Sequence, residues 1–222
     1  MTDTYSGEVS VGSPAQTRQL THLEISKVSV GPMDNNAYLL KCRQTGDTLL
    51  VDAANDADTL IALLAKRTNG ELGTVFTTHQ HGDHWQAIGA VVAATGATTA
   101  AGRPDAEGLP VAVDVPLDDG DELVVGDCTL TAIHLVGHTP GSIALAYEDP
   151  QGHTHVFTGD SLFPGGVGRT GSPEAFQSLL HDVRTKIFDR FDDDTWVYPG
   201  HGKDTTLGVE RPHLDEWAAR GW

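Results

Sequence analysis

The chain is poor in cysteine, in positive charge and in long apolar runs. Its two cysteines, Cys42 and Cys128, lie far apart in 222 residues. That is too few and too separated for a paired CxxC metal knuckle or a disulfide framework. Each falls in an apolar stretch and reads as a small buried hydrophobe, and a reducing, cytoplasmic setting is expected. Only 14 Lys and Arg oppose 31 Asp and Glu, leaving a formal net charge of −17. Such a surface repels phosphate backbones and anionic headgroups, so neither nucleic acid nor membrane is expected as a partner. No apolar run reaches the ~20 residues that a membrane helix needs. The first stretch, "MTDTYSGEVSVGSPAQTRQL", has no basic start leading into an apolar segment. Residues 1–20 therefore read as a polar, frayed lead-in and not as a signal peptide.

What remains is 39% hydrophobic residues, enough for a sizeable core. "HLEISKVSVG", "NNAYLLKC" and "DTLLVDA" are β-branched and apolar between turn residues, the pattern of consecutive strands. "DADTLIALLAKRT" has leucines and alanines at helical spacing behind a capping Asp56 or Asp58. "GTVFTT" is a strand and "HWQAIGAVVAATG" a helix closed by Gly96. The second half repeats the order of element types. "DELVVG", "CTLTAIHLV", "SIALAYED" and "HTHVFTGD" are strands, "SPEAFQSLLHDVRTKIF" a helix, "TWVYPG" a strand and "GVERPHLDEWAARGW" a closing turn and helix. Strands then helix, twice over, predict an α/β protein of two packed sheets with helices outside. No linker divides residues 21–222, which are expected to form one domain.

Between the strand "GTVFTT" and the next helix, "THQHGDH" places His79, His81, Asp83 and His84 within six positions. A strand end and a helix start are a rigid mount for such groups. Imidazole nitrogen and carboxylate oxygen suit zinc, with iron and manganese as alternatives. Three further candidates stand at apparent strand ends beside glycines: His138 in "VGHTPGS", Asp160 in "FTGDSLF" and His201 in "YPGHGKD". Loops on one rim of a sheet converge in space however far apart they lie in sequence. His22, His134, His153, His155, His181 and His213 match no such segment and read as ordinary histidines.

The ordered set "THQHGDH", "GHTPGS", "TGDSLF" and "PGHG" resembles the metallo-β-lactamase superfamily, and within it the short glyoxalase II-like hydrolases. The resemblance spans about residues 23–210. It implies a four-layer αββα sandwich with two divalent metal ions, zinc in the first place, between the sheet edges. His79, His81 and His138 would hold one ion, Asp83, His84 and His201 the other, and Asp160 would bridge them. Two adjacent cations acidify a shared water to a hydroxide that attacks a carbonyl, with Asp83 and Asp160 as the catalytic carboxylates. A thiolate of pKa about 8.5 departs without a strong general acid, which favours a small-molecule thioester such as an S-2-hydroxyacylthiol. Lactamases of this fold use Cys where Asp160 stands, so β-lactam, lactone and phosphoester hydrolysis rank lower. The rival enzyme is a mononuclear iron persulfide dioxygenase, in which His79, His138 and Asp160 would form the facial set. A non-catalytic binding protein ranks last, because it predicts eroded ligands.

Several residues depart from the pattern or extend it. The resemblance implies a helical glutathione-binding domain after His201, and residues 202–222 are too short to hold one. Recognition of the thiol is therefore expected to be reduced or aimed at a different thiol. Trp85 and Gln86 replace the family's commoner Gly-Gly. Trp85, Arg169 in "GGVGRTGS" and Lys203 are candidates for substrate contact, Trp85 with packing as its other role and Arg169 with a surface ion pair as its own. Asp52 in "VDAAND" is a candidate to orient a metal-binding histidine. Leu214, Trp217 and Ala218 mark a helix face docked on the core or on a second copy, so either a monomer or a homodimer is expected.

Overall fold

The computed structural model describes residues 5–221. The chain first forms β1 (Gln16–Gln19), β2 (Leu23–Val30), β3 (Asn35–Cys42), β4 (Thr48–Val51), α1 (Ala57–Thr68) and β5 (Thr74–Thr77). After a 3-10 turn at Gly82–His84 come α2 (Ile88–Thr95), β6 (Thr98–Gly102), a 3-10 segment at Arg103–Gly108 and β7 (Val115–Leu117). The second half adds β8 (Glu122–Val125), β9 (Cys128–His134), β10 (Ile143–Glu148), β11 (Thr154–Gly159), β12 (Leu162–Phe163) and β13 (Gly166–Val167). It closes with α3 (Pro173–Asp182), which runs on as a π-helix over Val183–Phe188, then β14 (Trp196–Pro199), β15 (Thr205–Thr206), α4 (Leu207–Glu210) and α5 (Leu214–Arg220).

Strands β1 to β7 form one mixed sheet in sequence order, antiparallel through β4 and parallel from β4 to β7. The second sheet has the order β15-β14-β11-β10-β9-β8, with β11 and β14 parallel. Alternation along the strands builds the layers, since successive side chains point to opposite faces. In β3, Tyr38, Leu40 and Cys42 enter the cluster between the sheets, where they meet Leu130, Leu145 and Phe157 of the second sheet. Ala37 and Leu39 of the same strand face Leu60, Leu64, Ile88 and Val91 of α1 and α2. On the far side, Ala144, Ala146 and Val156 pack under Phe176, Leu179 and Trp217 of α3 and α5. These three cores, separated by two sheets, are the expected αββα sandwich.

Three local expectations are corrected. Residues 1–20 were expected to fray, yet Gln16–Gln19 pairs with β2, and Gly7 O takes a hydrogen bond from Lys27 Nζ at 2.7 Å. Lys27 is fully buried and needs acceptors, which is what pulls the lead-in onto the sheet; residues 1–4 lie outside the described residues. The helix expected from His84 starts only at Ile88. Gln86 N and Ala87 N bond instead to Ala54 O and Ala53 O, tying this stretch to the loop after β4. At the C-terminus Leu214 and Trp217 are buried in the outer core but Ala218 is exposed. Both cysteines are buried and free. Among the described residues no helix is long and apolar enough to cross a membrane.

Candidate metal centre

One rim of the sandwich collects the ends of β4, β5, β11 and β14 and the loop between β9 and β10. There the structure brings together His79, His81, Asp83, His84, His138, Asp160 and His201 in three overlapping groups: His79–His81–His138, His79–His84–Asp160 and Asp83–His84–His201. His79 Nε2, His81 Nδ1 and His138 Nε2 form a triangle with sides of 3.1, 2.9 and 3.2 Å.

Ring nitrogens this close repel through their lone pairs unless a cation or proton sits among them. The other side of each ring shows which nitrogen is bare. Thr78 Oγ1 donates to Asp52 Oδ2 and so accepts from His79 Nδ1 at 3.0 Å. His138 Nδ1 donates to the backbone carbonyl of Arg169 at 2.6 Å. Both Nε2 atoms are left as electron-pair donors facing inward, the arrangement that metal-binding histidines require.

The second group is built the same way. His84 Nδ1 bonds Asp52 Oδ2 at 2.8 Å, and its Nε2 faces Asp83 Oδ2 at 3.5 Å and Asp160 Oδ1 at 3.4 Å. His201 Nδ1 donates to Met33 O at 3.0 Å, turning Nε2 toward Asp83 Oδ2 at 3.3 Å and Asp160 Oδ2 at 3.6 Å. Asp160 Oδ2 is also 3.7 Å from His138 Nε2, so this carboxylate stands between the two groups. Such closeness needs Gly200, because a Cβ there would collide with Asp160 Oδ1 and His84 Cε1.

Two buried atoms, His84 Nε2 and Asp160 Oδ1, have no hydrogen-bond partner. Orphaned polar atoms are rare in folded interiors, and these two lie 3.4 Å apart. A divalent ion would satisfy both, so the donor set fits metal. Burial would push the Asp160 carboxyl up, but the neighbouring His84, with His79 and His201, holds it well below the usual carboxylate range. Burial disfavours the charged form of His84, yet Asp52 and Asp160 outweigh it and push its pKa up to about 10. Metal binding at His84 therefore competes with a proton.

The candidates around this centre divide. Asp52 is buried, bonds His84 Nδ1 and also accepts from Thr78 N and Thr78 Oγ1. It adopts a left-handed backbone at φ 57, a strain that a tightly determined site sustains. Arg169 and Lys203 are exposed, with no side-chain hydrogen bond or ion pair among the described residues. Trp85 is half-buried, packs against the α1–α2 core and spends its indole N–H on Gln80 O at 2.8 Å. His155, set aside at the sequence level, is buried against Tyr198, and His153 pairs with Asp194 at the surface.

Sequence reasoning missed Thr78, Asn35 and Lys27. Asn35 Nδ2 donates to Asp83 Oδ2 at 2.9 Å. Lys27 Nζ holds the loop after His201 through Gly202 O and Asp204 Oδ1 at 2.8 and 2.6 Å. A lysine in an otherwise apolar strand was the one available signal.

Comparison with known proteins agrees with this geometry. The family description "Metallo-beta-lactamase superfamily" matches residues 30–201. A hydroxyacylglutathione hydrolase of Cereibacter sphaeroides is 35% identical over 170 residues, 76% of this chain and 62% of its own length. Across three such hydrolases the chain spans 56–65% of the relative's length. Among solved structures, ETHE1 from Myxococcus xanthus superposes with a TM-score of 0.76 at 28% identity, covering 88% of this chain and 84% of that one. TTHA1623 in a di-iron-bound form gives 0.69 at 32% identity, covering 83% and 96%. With the family match spanning most of the chain and the fold agreeing, the chain belongs to the metallo-β-lactamase superfamily.

Proposed function

We propose that the protein is a metal-dependent hydrolase of small thioesters, with an S-2-hydroxyacylthiol as the substrate class, and that its site holds two divalent ions. The observation that carries this reading is Asp160, whose two oxygens face the imidazoles of both groups while one of them lacks any protein partner. The hydroxyacylglutathione hydrolases among the relatives support the substrate class, and the di-iron form of a 32% identical relative supports two ions. Zinc suits the nitrogen-rich donor set, with iron and manganese as alternatives.

His79, His81 and His138 would hold one ion, Asp83, His84 and His201 the other, with Asp160 between them. When bound, such a pair supplies an acidified water and a polarised carbonyl. The chain's own residues fix where that happens. Asp52, Thr78, Met33 O and Arg169 O each take a ring N–H, which aims the other ring nitrogen of each histidine inward, where an ion would take the place of any proton. Burial alone would raise the Asp83 carboxyl, but the Asn35 hydrogen bond and the nearby His84 keep it below its ordinary range and ionised. A thiolate leaves without protonation, so no further acid is asked of the site. Arg169 and Lys203, exposed and unpaired near the centre, would meet a carboxylate on the substrate.

The test compares thioester hydrolysis with and without dioxygen, for wild type and Asp160→Ala. Hydrolysis takes its nucleophile from water, so the wild-type rate should be the same in both atmospheres. Asp160→Ala should lower it at least about a hundredfold, the upper range for disrupting a metal shell. Oxygen consumption with a persulfide, one bound iron and no thioesterase activity would establish the dioxygenase reading instead.

A further inference from the structure

Beyond the centre itself, one buried carboxylate joins the two loops that carry the three-histidine group. Asp105 is fully buried in the 3-10 segment after β6. Its Oδ2 accepts from Gln80 N at 2.9 Å and from Thr139 Oγ1 at 2.6 Å, and its Oδ1 accepts from Gly141 N at 2.7 Å. Gln80 stands between His79 and His81, and Thr139 follows His138 directly. The first loop leaves the first sheet after β5, and the second enters the other sheet before β10. The second loop presses against Asp105 so closely that a Cβ on Gly141 would collide with Asp105 N and its carboxyl. Ser142 Oγ lies 2.6 Å from Thr139 Oγ1, which extends the network into the start of β10.

A buried carboxyl group that accepts from three donors, with no cationic partner among the described residues, is costly to place unless every bond is kept. Its position joins two loops from opposite sheets, which also meet directly beside it, where Ile143 N donates to Thr78 O at 2.9 Å. We propose that Asp105 is a positioning residue that sets the spacing of His79, His81 and His138, and so the metal affinity of that group alone. Asp83, His84 and His201 receive their support from Asn35, Asp52 and Met33 instead.

Asp105→Asn is the informative change because it keeps the shape. In either orientation of the amide, its NH2 faces a backbone N–H, that of Gly141 or that of Gln80. One donor must then go unsatisfied, and one loop must move.

Two readouts separate this inference from the metal reading on which its second part rests. In metal-free protein, amide exchange at Gln80 and Gly141 should quicken at least about tenfold in Asp105→Asn, with Val156 in β11 unchanged. In a His201→Ala background, where only the three-histidine group is complete, zinc affinity measured by chelator competition should fall about 10–100-fold on adding Asp105→Asn. Leu64→Ala, a core change in α1, should lower stability without either effect. Unchanged exchange at Gln80 and Gly141 overturns the proposal whatever metal does. So does unchanged zinc affinity, or an equal loss in Leu64→Ala. Absence of zinc binding in the wild type would overturn the two-ion reading, while the exchange data would still decide the role of Asp105.

Discussion

His84 donates one ring proton to Asp52 and turns its other nitrogen toward Asp83 and Asp160. The same division of labour recurs at His79, His138 and His201, each with a different acceptor on the outer nitrogen. At His138 that acceptor is the main chain of Arg169, so one residue has two separable parts. Its carbonyl orients the His138 ring whatever the side chain is, while its guanidinium, without a partner among the described residues, could meet substrate. Arg169→Ala should therefore keep metal content and leave hydrolysis of an uncharged thioester unchanged. On a thioester bearing a carboxylate, it should lose a charge-assisted hydrogen bond and about ten- to hundredfold in kcat/KM, mainly through KM. Steady-state kinetics on the two substrates decide this: equal losses on both would make Arg169 structural, and no loss on either would remove it from the site.

At the scale of elements, β11 connects a buried histidine to the metal rim. His155 near its start is buried beside Tyr198, with Arg18, Asp149 and His153 as charged neighbours, and Asp160 follows its last residue. Burial, reinforced by Arg18, lowers the His155 pKa to about 4. The unfolded chain takes up this proton near pH 6.5 and the native chain only near 4. Between those values the unfolded state binds more protons, so stability is lost as pH falls through the window and levels off below it. For metal-free protein, denaturant midpoints from pH 7 to 4 should fall more steeply in wild type than in His155→Gln. Parallel curves would remove His155 as a cause.

The strands were legible because alternation between two packed sheets leaves a period-2 trace, as in Tyr38, Leu40 and Cys42 against Ala37 and Leu39. The candidate ligands were legible because four short motifs stand in the order that the family resemblance implies. The late start of α2 was not, since its cause is a tertiary pair of hydrogen bonds to Ala53 and Ala54. Nor was Asp105, one acidic residue among 31 with nothing local to distinguish it.

On the scale of the whole molecule, the candidate ligands come from both halves of the sandwich. His79, His81, Asp83 and His84 follow β5 of the first sheet, whereas His138, Asp160 and His201 belong to the second. An ion held by both would bind only the folded arrangement, so occupancy and stability are linked. Each site at a hundredfold excess over its Kd adds about 2.7 kcal/mol, or roughly 5–10 °C in Tm for a domain of this size. Within a surface of formal charge −17, the metal rim is also where positive charge would be concentrated. The most direct measurement is a titration of zinc into metal-free protein, following thioester hydrolysis and Tm together. The account predicts that both rise and level off near two equivalents. Hydrolysis that is equally fast without metal, or two bound equivalents with no hydrolysis of any thioester, would contradict it.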